Sequence, residues 1–222
     1  MTHAADGTTG HGTTGRAAVA AGHPATAEAA RDVLADGGNA FDAALAAVAA
    51  ATVAEPLLCS LGGGGFLLAH PADGTPVLYD FFAQTPGRAR PDADFRAVEV
   101  DFGPATQEFH VGLGATAVPG AIRGIAAVHA DLASRPLDVL VEPAAARARA
   151  GVPLRDFDAY AGRILAPILS TTPEIAGVFQ TPDGTPRAPG DLLIQPELAA
   201  ALDRLGTEGD RPFYEGDPAH AL

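Results

Sequence analysis

Residues 20–56 read AAGHPATAEAARDVLADGGNAFDAALAAVAAATVAEP and hold the most regular pattern in the chain. His23-Pro24 opens a helix there, because proline's fixed φ and missing N–H suit a first helical turn. Ala27, Ala30, Val33 and Leu34 form a stripe of small side chains, and Gly37-Gly38 stops it. Asn39 is a good cap for a second helix. Asp42 falls at its third position, where a carboxylate meets free backbone amides. From Ala40 to Ala54 nearly every residue is Ala, Leu or Val. A helix apolar all round needs cover all round, so it belongs inside something larger.

Working outward, residues 57–82 read LLCSLGGGGFLLAHPADGTPVLYDFF. Phe66 to Ala69 and Val77 to Phe81 read as two strands joined by an Asp73-Gly74 turn. Residues 83–118 read as loop-rich, with Pro86, Pro91 and Pro104. Helical patterns follow over roughly 121–133, 137–150, 156–169 and 196–205. Gly151 and Gly206 read as stops, Pro173 and Pro196 as starts. Residues 1–16 are Gly, Thr and His with little apolar content and read as a mobile tail, leaving 17–222 as the folded unit. The order is two helices, a hairpin, then a helical half, which is helix-rich α+β. A two-stranded sheet rarely organises a domain of this size, so the pattern reads as incomplete.

Composition narrows the chemistry. With 222 residues and 47% hydrophobic content, a core is affordable. The net charge is −13, and an acidic surface repels nucleic-acid phosphates and anionic membranes. All 14 bases are arginine, so neither a Schiff-base lysine nor a phosphate-loop lysine exists. One cysteine, Cys59, excludes an internal disulfide and a multi-cysteine metal site. The apolar region is broken by Pro56, Gly62–Gly65 and His70 and does not read as a membrane span. The N-terminal residues hold no apolar run, so the expected location is cytoplasmic.

Candidate reactive groups are few. Gly62–Gly65 suits either a backbone cradle for an anion or a close crossing of two segments, the commoner use of glycine. Here the glycines lead into a strand rather than a helix, against a phosphate loop. The histidines stand at 3, 11, 23, 70, 110, 129 and 220, with no i, i+4 pair for zinc. His23 reads as a residue of the helix start, and His110 suits a strand. The carboxylate pairs Asp92/Asp94, Glu99/Asp101 and Asp156/Asp158 read as solvated faces. No G-x-S-x-G elbow is present, and Cys59 reads as a small buried hydrophobe. No metal and no cofactor is expected.

Beyond these separate motifs, residues 20–56 and LGGGGFLLAH (61–70) together resemble the start of the γ-glutamyltransferases (γ-glutamyl transpeptidases). AVPGAIRGIAAVHADL (117–132), VEPAAARARAGVPL (141–154), GDLLIQPELAAALDRL (190–205) and FYEGD (213–217) are similar to that family in the same order. The resemblance implies an N-terminal-nucleophile hydrolase with an αββα sandwich, of which this chain is part of the large subunit. It also implies a partner half whose N-terminal threonine attacks a γ-glutamyl or acyl amide such as glutathione, with its own α-amine as base. The acyl group then passes to water or an amino acid.

Two departures stand out. The family's Thr-Thr-His start is absent, so no catalytic residue is assigned in this chain. Thr171-Thr172 precedes Pro173, Thr13-Thr14 precedes glycine, and Thr2 follows the initiator Met in the tail. The family's D-F-R-E-T-A-P-like segment reads Asp80-Phe81-Phe82-Ala83-Gln84-Thr85-Pro86. Phe82 stands where an arginine grips the substrate carboxylate, and a phenyl ring cannot do so. Phe82 and Gln84 are therefore the expected substrate contacts. An apolar acyl group, as in the cephalosporin-acylase-like members, suits Phe82. The rival readings are a non-catalytic domain binding a small acyl compound or partner, and the large subunit of a split acylase.

Overall fold

A computed structural model describes residues 3–5, 17–88 and 90–221. The expected tail lies outside these residues, except for β1 (His3–Ala5), which pairs antiparallel with β2 (Ala17–Val19). The two helices read from the opening motif follow as α1 (Pro24–Ala35) and α2 (Ala40–Ala54). His23 caps α1, its Nδ1 accepting from the Ala25 N–H at 3.0 Å. Asn39 and Asp42 form a reciprocal capping box on α2.

The hairpin β3 (Phe66–Ala69) and β4 (Val77–Asp80) also forms as read, with Leu68 opposite Leu78. The loop reading of 83–118 is corrected by a second hairpin, β5 (Arg96–Asp101) and β6 (Thr106–Val111). Its prolines lie outside the strands. Pro104 sits in the turn, where the Asp101 carboxylate accepts from the Gly103 N–H at 2.7 Å and Gly103 takes φ +90°. Polar residues alternate with Val98 and Val100, the signature of a strand buried on one side.

The helical half comprises α3 (Ala121–Leu132), α4 (Leu137–Ala150), α5 (Asp156–Ile164), α6 (Ala166–Leu169) and α7 (Pro173–Phe179). After these come α8 (Pro196–Glu208), α9 (Arg211–Glu215) and α10 (Asp217–Ala221). The expected 156–169 helix breaks at Leu165, ahead of Pro167. Gly206 is not a stop. It lies inside α8, where a Cβ would sit 2.8 Å from the Asp138 Cα, so glycine lets α8 and α4 touch. Two short strands, β7 (Val152–Pro153) and β8 (Leu192–Leu193), tie the end of α4 to the start of α8.

The core joins α2, α3, α4 and α8 through Leu45, Val53, Ile125, Val128, Leu140, Val141, Leu202 and Leu205. Ala29 meets Ala46 and Ala50 in a second cluster, where small side chains let α1 and α2 approach closely. The apolar second helix thus finds the cover it needs.

The sheets are different. Among the described residues all are two-stranded. On β3–β4, Leu67 and Tyr79 pack on the core, while Leu68 and Leu78 on the other face are 70% and 60% exposed.

Candidate functional site

Phe82 and Gln84 stand together just past β4, on a corner built by the glycine run. Gly63 O accepts from the Gly120 and Ala121 amides at 2.9 and 3.0 Å, which fixes the start of α3. Gly65 and Phe81 exchange two backbone bonds of 3.2 and 3.0 Å, extending the hairpin ladder. A Cβ on Gly64 would lie 2.6 Å from the Phe81 carbonyl oxygen, so only glycine fits there. The amides of Gly62, Gly63 and Gly65 donate to Ser60 Oγ, Ser60 O and Phe81 O. With three amides used inside the chain, the run acts as a close crossing rather than an anion cradle.

Beyond the crossing, Asp80 and Gln84 fix the Phe82 backbone. The Phe82 N–H donates to Asp80 Oδ1 at 3.1 Å, and Gln84 Nε2 donates to the Phe82 carbonyl at 3.2 Å. Gln84 itself is held by two backbone bonds to Val118, of 3.0 and 2.7 Å. The Phe82 ring stacks on Phe66, centroids 5.6 Å apart and planes 17° apart. Phe82 remains 56% exposed. The corner therefore presents an aromatic platform beside a carboxylate, with no cation among the described residues paired to it. Arg90, downstream, is paired with Asp92 at 3.1 Å.

A separate cleft of about 850 Å³ opens between the 56–62 turn, α7, α8 and α9, lined by Cys59, Ser60, Ile175, Leu198 and Tyr214. Neither Phe82 nor Gln84 reaches it. Sequence reasoning gave no sign of this cleft, because its walls come from segments more than a hundred residues apart. Burial, then the nearby negative Glu55, push the Cys59 thiol up, so it remains a protonated thiol. Thr172 caps α7 by accepting from the Ile175 N–H at 3.3 Å, as Pro173 suggested. Thr2, Thr13 and Thr14 lie outside the described residues.

Of the carboxylate pairs, Asp92 and Asp94 are exposed and paired with Arg90 and Arg96. Glu99 and Asp101 are exposed too. Asp158 corrects the solvated reading: it is 5% exposed and holds Arg155 at 2.9 Å. It was hidden because Asp156, two residues earlier, does face water. Among the described residues no group of three or more His, Cys, Asp or Glu is placed to hold a metal. No described helix is long and apolar enough to cross a membrane.

Comparison with known proteins extends the resemblance. The family model described as gamma-glutamyltranspeptidase matches residues 26–222. The acylase ACY 1 proenzyme of Pseudomonas sp. (strain V22) is 34% identical over 93% of this chain and 38% of its own length. The glutathione hydrolase proenzyme of Bacillus subtilis (strain 168) is 33% identical over 92% of this chain and 34% of its own. The chain thus spans little more than a third of these curated relatives. Among solved structures, Helicobacter pylori gamma-glutamyltranspeptidase matches with TM-score 0.78 and 28% identity, over 91% of this chain and 57% of that one. The Bacillus anthracis transpeptidase CapD matches with TM-score 0.73 and 29% identity, over 91% and 62%. Sequence motifs, helical core and structural neighbours agree, and the chain belongs to the gamma-glutamyltranspeptidase family, carrying part of its N-terminal-nucleophile hydrolase fold.

Proposed function

We propose that this chain supplies the frame and one wall of the acyl pocket in an amidohydrolase or acyltransferase of this family. The observation that carries the reading is the uncovered apolar face of β3–β4. A half-buried sheet with Leu68 and Leu78 in water lacks its second layer, which a partner half of the sandwich would supply. That half would also bring the nucleophile, since Thr-Thr-His does not occur in these residues.

In the assembled enzyme the threonine hydroxyl attacks the amide carbonyl while the α-amine takes its proton. The C–N bond breaks, and the amine leaves with that proton. Water or an amino acid then takes the acyl group from the threonine ester. Phe82 and Gln84 would contact the acyl group. The Phe66–Phe82 platform favours an apolar acyl chain over one carrying an α-carboxylate, because Asp80 beside it repels anions.

The test is co-expression with a threonine-initiated small subunit, assaying hexanoyl- and γ-glutamyl-p-nitroanilide. The chain alone should show no turnover, and the complex should prefer the hexanoyl substrate. Phe82→Arg should shift the kcat/KM ratio toward the γ-glutamyl substrate by about 30-fold, as one charged contact is worth about 2 kcal/mol. Turnover by the chain alone, or an unchanged ratio in the variant, would sink the reading.

A further inference from the structure

We propose that His23 is a proton-operated latch on the first turn of α1, closing that turn when neutral and releasing it when charged. Its imidazole is 7% exposed. Nδ1 accepts from the Ala25 N–H, so in the neutral ring the proton must sit on Nε2. Nε2 is buried and has no hydrogen-bond partner among the described residues. A second proton has only Nδ1 to go to, and there it destroys the cap. It also sets a positive charge at the positive end of a helix.

The neighbouring turn is tied to α5. Arg155 donates to the Gly22 carbonyl at 2.8 Å and holds Asp158 at 2.9 Å. A charged His23 would therefore stand against the same guanidinium that clamps the residue before it. Three carboxylates face the ring from its surroundings, and each already has a partner. Asp158 on α5 holds Arg155. Glu55, at the end of α2, accepts from the Thr26 hydroxyl at 3.3 Å. Glu28 on α1 pairs with Arg147 of α4 at 3.2 Å. An imidazolium would compete with Arg155 for Asp158, with Arg147 for Glu28 and with the Thr26 hydroxyl for Glu55. Burial, then Arg155, accordingly hold the ring's pKa below the ordinary 6.5, against the opposing pull of the acids.

The experiment is hydrogen exchange at the Ala25 and Ala27 amides, which donate to His23 Nδ1 and to its carbonyl. Between about pH 7.5 and about pH 5, corrected for intrinsic exchange, protection should fall by about tenfold or more. His23→Asn keeps a capping oxygen without a titrating ring, and its protection should change by less than about twofold. Equal pH dependence in the two proteins would overturn the latch. ¹⁵N spectra of the unaltered chain give a second reading that does not need the variant to fold. They should show the proton on Nε2 at neutral pH and a midpoint below 6.5. A proton on Nδ1, or a midpoint at or above that value, would overturn it as well.

Discussion

Replacing Asp42 by alanine removes one carboxylate and strands the donors that converge on it. The side chain is 0% exposed. It accepts from the Asn39 N–H at 2.7 Å, the Ser134 N–H at 2.8 Å, the Arg135 N–H at 3.1 Å and the Ser134 hydroxyl. One carboxylate thus caps α2 and fastens the α3–α4 turn across more than ninety residues. The hydroxyl can turn to solvent, but the three amides cannot follow it. An orphaned donor costs about 1–3 kcal/mol, and the Ser134 and Arg135 amides lie near water, so the sum is about 3–4 kcal/mol. For a chain of this size that lowers the melting temperature by about 6–16 °C. Asp42→Asn keeps one acceptor oxygen and should lose about half as much. Thermal and urea melts followed by far-UV circular dichroism measure both. A loss under about 1 kcal/mol for Asp42→Ala would refute the reasoning, because water would then be replacing the carboxylate at little cost.

The same residue sets an acid limit. Burial pushes its carboxyl up, but bonds from Ser134, Asn39 and Arg135 outweigh this and hold it below the ordinary 3.8. Its contribution is therefore full above that value and lost as pH falls through the lower folded value, which melts of wild type and Asp42→Asn from neutral to acid pH should show as a converging difference. Gly64→Ala forces a Cβ against the Phe81 carbonyl and should cost about 2 kcal/mol or more in urea unfolding. Leu140→Ala opens a cavity at the centre of the helical core and should cost about 2–5 kcal/mol in the same assay. Leu68→Lys with Leu78→Lys should reduce self-association in sedimentation while shifting stability by only about 0.5 kcal/mol, since neither side chain packs on the core.

The helices were legible because their punctuation is local. His23-Pro24, Gly37-Gly38 and the Asn39 to Asp42 box lie next to what they start and stop. The β5–β6 hairpin was masked by Pro91 and Pro104, although neither falls in a strand. Gly206 was misread because its reason is Asp138 on another helix, which no local rule can see. The crossing at Gly64 was anticipated, but its partner, Phe81, was not. At the candidate site, the choice of Phe82 and Gln84 came from the family resemblance. Their stacking on Phe66 and bridging to Val118 depend on register, which emerges only when both strands are placed. Asp158 shows the same limit: burial of one acid in a pair is decided by what α5 packs against.

A sheet of two strands is all edge, and each edge offers unpaired amides and carbonyls to any strand that approaches. β5–β6 guards its own edges with Arg96, Glu99, Asp101 and Glu108, charges that repel or desolvate badly against a copy. β3–β4, reading FLLA and VLYD, has a single charge, Asp80. Concentrating the isolated chain therefore selects this hairpin as the template for strand-by-strand growth, and the first ordered aggregate should be built on residues 66–80.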